Sequence, residues 1–540
     1  MGACLQNALH ERLIAEPTKR TRERTYLRLL VELTAGSEAN ALDAPVDVAL
    51  GQDAAGEAWH VAPLFESGAD DAELARFLLV EGAVDAHSLP GVGWDLAHAL
   101  EDAAGPAVVE VLPDLPASFA APPAAAIALP RDPDVPESAP KHWSIENVKA
   151  PAAWAVTRGG GVVVGHPDTG YRIHDELTAD ALDLGRDRDV IDGDDDALDP
   201  LERGTGPEWL FPGHGTRTAS VIAGRESGLL VGVAPAATIV PIRTIRTVIR
   251  VFAGDVAKAI DYARSIGVDV ISMSFGGLPF PGVHAALRRA VNDGIIVLAA
   301  AGQYAPFHVV VWPAAYPECL AVAGTNAEDR PWRYSSRGRE VVVSAPGESI
   351  WAPKVVEGEV DQISHGYGTS FAVAHVAGAA ALWVARHGHA ALVERYVAPR
   401  VQEAFRHLLG TKGFRRPASW DAGAMGAGIL DVEALLNADL PPADEVPEAA
   451  VAGEPDWTES LAHVLGDVPR EDVEARLREL LRAEAPPRRH AAELTYLAAH
   501  DPLVRTELLA PAPAALADAD HPPSALLQRA SQGLANDLAS

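Results

Sequence analysis

Cysteine is nearly absent from this chain: its 540 residues include two, Cys4 and Cys319. One bridge at most could form, so no disulfide framework holds the fold, and neither a cysteine-based zinc site nor an iron–sulfur centre is available. Basic residues are also scarce, 44 against 75 acidic ones, for a net charge of −31. Such a field repels phosphates and anionic lipid, so neither nucleic acid nor a membrane is an expected partner. Long apolar runs are missing as well. The longest, Ala372 to Ala385, is too short to span a bilayer and contains His375. Near the start, Glu11, Arg12, Glu16, Lys19, Arg20 and Arg22 leave no uncharged stretch for an export signal. The expectation is a cytoplasmic protein.

What is present is ordinary globular composition, 48% apolar and 22% charged, in a chain long enough for several domains. Two proline- and alanine-rich stretches, 113–140 and 439–456, read as linkers. They divide the chain into an α+β part (1–112), a large middle part (141–438) and a helical end (457–540). In the first part, Tyr26–Leu33, Val46–Leu50 and Val108–Leu112 read as strands, and Asp71–Val80 and Trp94–Asp102 as helices. The middle part alternates short apolar runs, at Val162–Val164, Ile239–Ile242, Val268–Met273, Ile295–Ala299 and Leu320–Ala323, with helical patterns. That alternation predicts an α/β fold, a parallel sheet with helices on both faces. Ser370–Ala385 is apolar nearly all round, which predicts a buried helix. At the end of the chain, Val473, Leu477, Leu480 and Leu481 form one apolar stripe. It suits helices that pack together or dock a partner.

Three segments of the middle part carry chemistry. VVVGHPDTG ends a strand in Asp168; GHGTRTASVIAG puts His214 at the mouth of a helix; GTSFAVAHVAG puts Ser370 at the mouth of the buried one. A serine hydroxyl is a weak nucleophile that needs a base in contact. A neutral imidazole titrates near working pH, and a carboxylate on its other nitrogen fixes the tautomer. Asp168 falls at a strand's carboxyl end, where open α/β sheets gather their sites. Ser370 falls where backbone N–H groups are unpaired and can hold an oxyanion.

At these residues the chain resembles the subtilisin-like serine proteases, the subtilase family, which share the order Asp, His, Ser. The resemblance spans roughly Trp143 to Leu435 and includes VGVAP (231–235), WPAAYPECLAVAGT (312–325) and YSSRGREVVVSAPG (334–347). It implies a serine endopeptidase that works on protein or peptide substrates and requires no cofactor. It also implies a cleft between Ser274-Phe275-Gly276 and Ala300-Ala301-Gly302, where a peptide lies as an added strand. The oxyanion donors would be the Ser370 N–H and the side chain of residue 303. That residue is Gln303, where the family has asparagine, and losing such a donor costs about 10²–10³ in rate. Ala374 replaces the family's usual proline at little cost to a helix.

His174 and His375 read as packing histidines. The acidic run Asp187–Asp199 reads as a solvated loop, with Asp192, Asp194 and Asp196 as candidate ligands of a structural Ca²⁺. The first part resembles subtilase prodomains, which would set a self-cleavage site in 113–140; its rival is a permanently attached regulatory domain. Two other activities fit the same motifs: a pseudoprotease that binds peptides through a weakened oxyanion hole, and a peptide ligase or cyclase.

Overall fold

The structure, a computed structural model, describes residues 24–85, 91–116, 139–201, 211–248, 251–303, 308–448, 456–481, 488–510 and 525–539. Cys4, the charged stretch before residue 24, residues 117–138 of the first expected linker and residues 449–455 of the second lie outside them.

The first part is an antiparallel sheet of β1 (Arg24–Leu33), β2 (His60–Pro63), β3 (Phe77–Asp85) and β4 (Val108–Pro113), in the order β2-β3-β1-β4. Two helices accompany it, α1 (Asp43–Ala49) and α2 (Gly91–Ala104). The central strands are apolar on both faces: Leu29, Leu30 and Val31 of β1 and Leu78, Leu79 and Val80 of β3 are all buried.

Two elements differ from the sequence reading. The strand expected at Val46–Leu50 is the end of α1. Asp43 in the first turn suits the positive helix end, proline is tolerated there, and Val48 is 81% exposed, so nothing favours a buried strand. The helix expected at Asp71–Val80 is a turn followed by β3. Asp71 Oδ1 accepts from the Glu73 and Leu74 N–H groups at 3.0 and 3.3 Å, and pairing with β1 and β2 then overrides the local helical preference.

Contacts divide the chain into two compact units: 116–188 with 196–456, and 1–115 with 189–195 and 457–540. Six strands form the centre of the larger unit's main sheet: β5 (Val163–Asp168), β6 (Thr238–Arg243), β7 (Val270–Met273), β8 (Ile296–Ala300), β9 (Leu320–Thr325) and β10 (Val341–Pro346). All pair in parallel, in the order β10-β9-β8-β7-β5-β6. The chain leaves β5 to one side for β6 and returns to the other side for β7. That reversal opens a crevice at the carboxyl end of β5. α3 (His214–Ala223) packs with α6 (Thr369–His387), and α4 (Ala253–Ser265) packs with α5 (Pro281–Asn292), giving the two helical layers that the pattern predicts. α6 is buried from Phe371 to Val384, as its all-round apolar sequence requires. A hairpin of β11 (Ile350–Pro353) and β12 (Ile363–Gly366) precedes it.

The end of the chain is helical: α7 (Trp457–Val464), α8 (Arg470–Leu480), α9 (Arg488–His500), α10 (Pro502–Leu509), α11 (Ala525–Arg529) and α12 (Gln532–Ala539). Val473, Leu477 and Leu480 are its buried stripe. These helices complete the smaller unit with the first part of the chain. Trp94 of α2 meets Tyr496 of α9 edge-on at 6.2 Å, and Asp95 accepts from the Gln532 and Gly533 N–H groups at 3.2 and 3.1 Å. Among the described residues no helix is long and apolar enough to cross a membrane.

Candidate active site

Asp168 is the last residue of β5 and is fully buried. Its Oδ1 lies 2.7 Å from His214 Nδ1 and accepts from the Thr169 N–H at 2.7 Å. Burial pushes this carboxyl up, but the charge and hydrogen bond of the His214 imidazole, with His166 and Thr169, outweigh it and hold it below the usual carboxylate range. His214 opens α3, so the helix fixes the ring's backbone while the buried carboxylate fixes its tautomer. Gly215 makes this approach possible: a Cβ there would fall 2.2 Å from the Gly170 carbonyl oxygen.

Ser370 lies in the first turn of α6. Its hydroxyl donates to the Ser274 carbonyl at 2.9 Å and not to His214. Ser274 Oγ donates back to the Ser370 carbonyl at 3.3 Å. The Gln303 side chain reaches the same loop, where its Oε1 accepts from the Thr369 N–H at 3.3 Å. Among the described residues the Ser370 N–H has no hydrogen-bond partner, as expected of a helix's first turn. One side chain ties the two helix mouths together. Arg217, one turn beyond His214, lies over the Phe371 ring at 5.8 Å and donates to Pro353 O and Ser364 Oγ at 2.8 and 2.9 Å. Burial pushes its guanidinium down to about 10.

A family model described as the subtilase family matches residues 159–410. An intracellular serine protease of Paenibacillus polymyxa is 34% identical over 245 residues, covering 44% of this chain and 71% of the relative. The major intracellular serine protease of Bacillus subtilis (strain 168) is 31% identical, covering 44% and 73%. Thermitase of Thermoactinomyces vulgaris is 31% identical, covering 46% and 84%. The chain belongs to the subtilase family. It is a serine-type endopeptidase. The crystal structure of fervidolysin from Fervidobacterium pennivorans shares the fold, with a TM-score of 0.55 at 21% identity over 78% of this chain and 63% of that one.

Ser274-Phe275-Gly276 continues β7, Ala301-Gly302 continues β8 from Ala300, and both segments are largely buried. Val311 and Trp312 bridge them. The Val311 N–H donates to Ala301 O at 3.0 Å, and Gly277 exchanges backbone hydrogen bonds with Trp312. Val311 is fully buried, and a Cβ on Gly276 would fall 2.1 Å from its Cγ2, so its side chain fills the floor between the two segments. His174 is buried and accepts from the Glu176 N–H; His375 Nδ1 donates to Phe371 O at 2.7 Å, and burial pushes that ring down to about 4. In the acidic run, Asp189 Oδ1 accepts from the Ile191 and Asp192 N–H groups and Asp196 Oδ1 from that of Leu198. Among the described residues, Asp192, Asp194 and Asp196 belong to no group of three converging ligands.

Sequence reasoning missed three supporting residues. Asp199 Oδ2 accepts from Thr169 Oγ1 at 2.7 Å and from the Gly213 N–H at 3.0 Å, bracing the Asp168 turn against the cap of α3. Thr218 Oγ1 lies 3.1–3.3 Å from the His214 carbonyl, the second Asp168 oxygen and His166 Nε2. Burial pushes His166 below the usual imidazole range, against the pull of the neighbouring carboxylate. Periodicity could have found two of these. Thr218 is four residues beyond His214 on a helix, and His166 is two before Asp168 on a strand, so each shares a face with its partner.

Proposed function

We propose that this endopeptidase acts through Asp168, His214 and Ser370. His214 Nε2 takes the hydroxyl proton as Ser370 Oγ attacks the scissile carbonyl carbon, while Asp168 holds Nδ1–H and stabilises the imidazolium. The Ser370 N–H and the Gln303 amide donate to the tetrahedral oxyanion. Collapse breaks the C–N bond, and the leaving amine takes the proton from His214. An ester on Ser370 remains. Water then gives a proton to His214 and attacks the ester; the ester C–O bond breaks, Ser370 Oγ takes the proton back from His214, and the acid leaves. None of these steps calls for a cofactor.

The observation that carries this reading is the 2.7 Å contact between His214 and a fully buried Asp168, beside a helix mouth with an uncommitted Ser370 N–H. Reaction requires Ser370 Oγ to leave the Ser274 carbonyl and turn toward His214, one χ1 rotation. Gln303 anchors its oxygen on the Thr369 N–H, which leaves its NH₂ as the second donor. The substrate runs extended between 274–276 and 300–302, and Val311 favours small side chains at that floor. Two relatives are named intracellular serine proteases, and we extend that location to this chain. The first part of the chain shares a unit with the terminal helices, so we read it as a companion that stays docked after any cut within 113–140.

A fluorophosphonate probe tests the nucleophile. Labelling of the native chain that disappears in Ser370→Ala supports the reading; labelling that persists, or a native chain that never labels, sinks it. Intact mass of the two proteins reports self-cleavage within 113–140.

A further inference from the structure

The smaller unit buries a cluster that proteolysis does not use. His98 of α2 and His490 and Glu493 of α9 are 4%, 2% and 0% exposed, and one ligand atom from each lies within 4.8 Å of the others. Glu493 Oε2 is 3.5 Å from His98 Nε2 and 3.9 Å from His490 Nδ1. Both carboxylate oxygens are held in place: the Ser531 N–H and hydroxyl donate to them at 2.6 and 2.9 Å. On the far side of each ring stands another carboxylate. Asp537 Oδ2 lies 2.8 Å from His490 Nε2, and Glu101 Oε2 lies 3.8 Å from His98 Nδ1.

Asp537 decides the tautomer of His490. With the ring proton on Nε2, Nδ1 presents a lone pair toward Glu493, and this buried Nδ1 makes no hydrogen bond. A lone pair facing a carboxylate oxygen gains nothing from it unless a cation lies between them. A proton on Nδ1 would not resolve the contact, since 3.9 Å is too long for a hydrogen bond. Ligands at 2.0–2.1 Å around tetrahedral Zn²⁺ lie about 3.3 Å apart, so small rotations of the two rings would close the set. The outer carboxylates are the partners that metal-bound imidazoles use to fix orientation and raise basicity.

We propose that His98, His490 and Glu493 bind one Zn²⁺-class transition-metal ion. Two imidazoles and one carboxylate suit that class and not Ca²⁺ or Mg²⁺, which take oxygen ligands. Three protein ligands leave the fourth position to water. The ion clamps α2 to α9, joining residues far apart in sequence and holding the first part of the chain to the terminal helices. The proposal is independent of the Asp168–His214–Ser370 mechanism.

The test uses the full chain, stripped of metal with a chelator and titrated separately with Zn²⁺ by calorimetry and with Co²⁺ by visible absorption. The expected result is one equivalent of each metal, with intense d–d bands from a four-coordinate Co²⁺. Glu493→Gln and His490→Gln should weaken binding roughly 100-fold or more, and the exposed second partner, Asp537→Asn, about 10-fold. Asp537→Asn changes a surface residue, so it reports even if the buried variants unfold. A native chain that binds neither metal has a histidine–carboxylate ion pair only, which overturns the proposal. Stoichiometric binding that Asp537→Asn and the folded His490→Gln leave unchanged assigns the metal elsewhere and overturns it equally.

Discussion

In the larger unit the three side chains proposed for catalysis stand at the ends of elements. Asp168 closes a strand, and His214 and Ser370 open helices. Unpaired backbone groups and a reversal in strand order gather there, and the result is a crevice that can admit an extended chain. In the smaller unit the buried histidine–glutamate cluster stands within helices. His98 sits in the middle of α2 and Glu493 within α9, each facing another helix. Mid-helix side chains find no unpaired backbone groups in their own helix, so they rely on neighbouring elements or on an ion. One unit is arranged to turn over a ligand, the other to keep one.

The largest expected effect separates the two units by activity. Ser370→Ala should lower kcat by on the order of 10⁶ while leaving the thermal unfolding of both units unchanged. Equal loss of folding would erase the contrast. The next separates them by pH. Glu110, on β4 beside Trp457, is raised from 4.5 to about 8 by burial, reinforced by Glu101 and Glu32. Between those values the folded unit keeps a proton that the unfolded chain has released. Its stability is therefore greatest below about pH 4.5 and is lost as pH climbs through about 8, by roughly 3–5 kcal/mol. Unfolding of the smaller unit followed against pH should show this slope, and Glu110→Gln should flatten it.

Gln303→Ala should cost about 10²–10³ in kcat with little change in KM, the mark of a donor used in the transition state. An unchanged kcat would assign the oxyanion to the Ser370 N–H alone. The smallest effect concerns selectivity. Val311→Gly should raise kcat/KM for substrates with large side chains at the cleft floor by about 10–200-fold relative to small ones, measured on matched peptides.

These contrasts also explain what could be read in advance. Asp168, His214 and Ser370 each sit inside a local motif, because a strand end and a helix mouth have signatures a few residues long. The parallel sheet was legible for the same reason: β5 to β8 are short apolar runs spaced by helices. The β1-to-β3 region was less so. Phe77–Val80 follows a helix-like DAELAR segment, and only its pairing with β1 decides its state. Asp199 belongs to an acidic run that reads as a solvated loop, since nothing local distinguishes a bracing carboxylate from a solvated one. His98 and Glu493 have no motif at all; folding alone brings them together.

The smaller unit draws its residues from both extremes of the chain. During synthesis the whole peptidase core emerges before α9 and α12 exist, and α2, with Trp94, Asp95 and His98, must wait for those helices to follow. The enzyme is thus assembled before its companion unit can close, and translation itself sets the order of events.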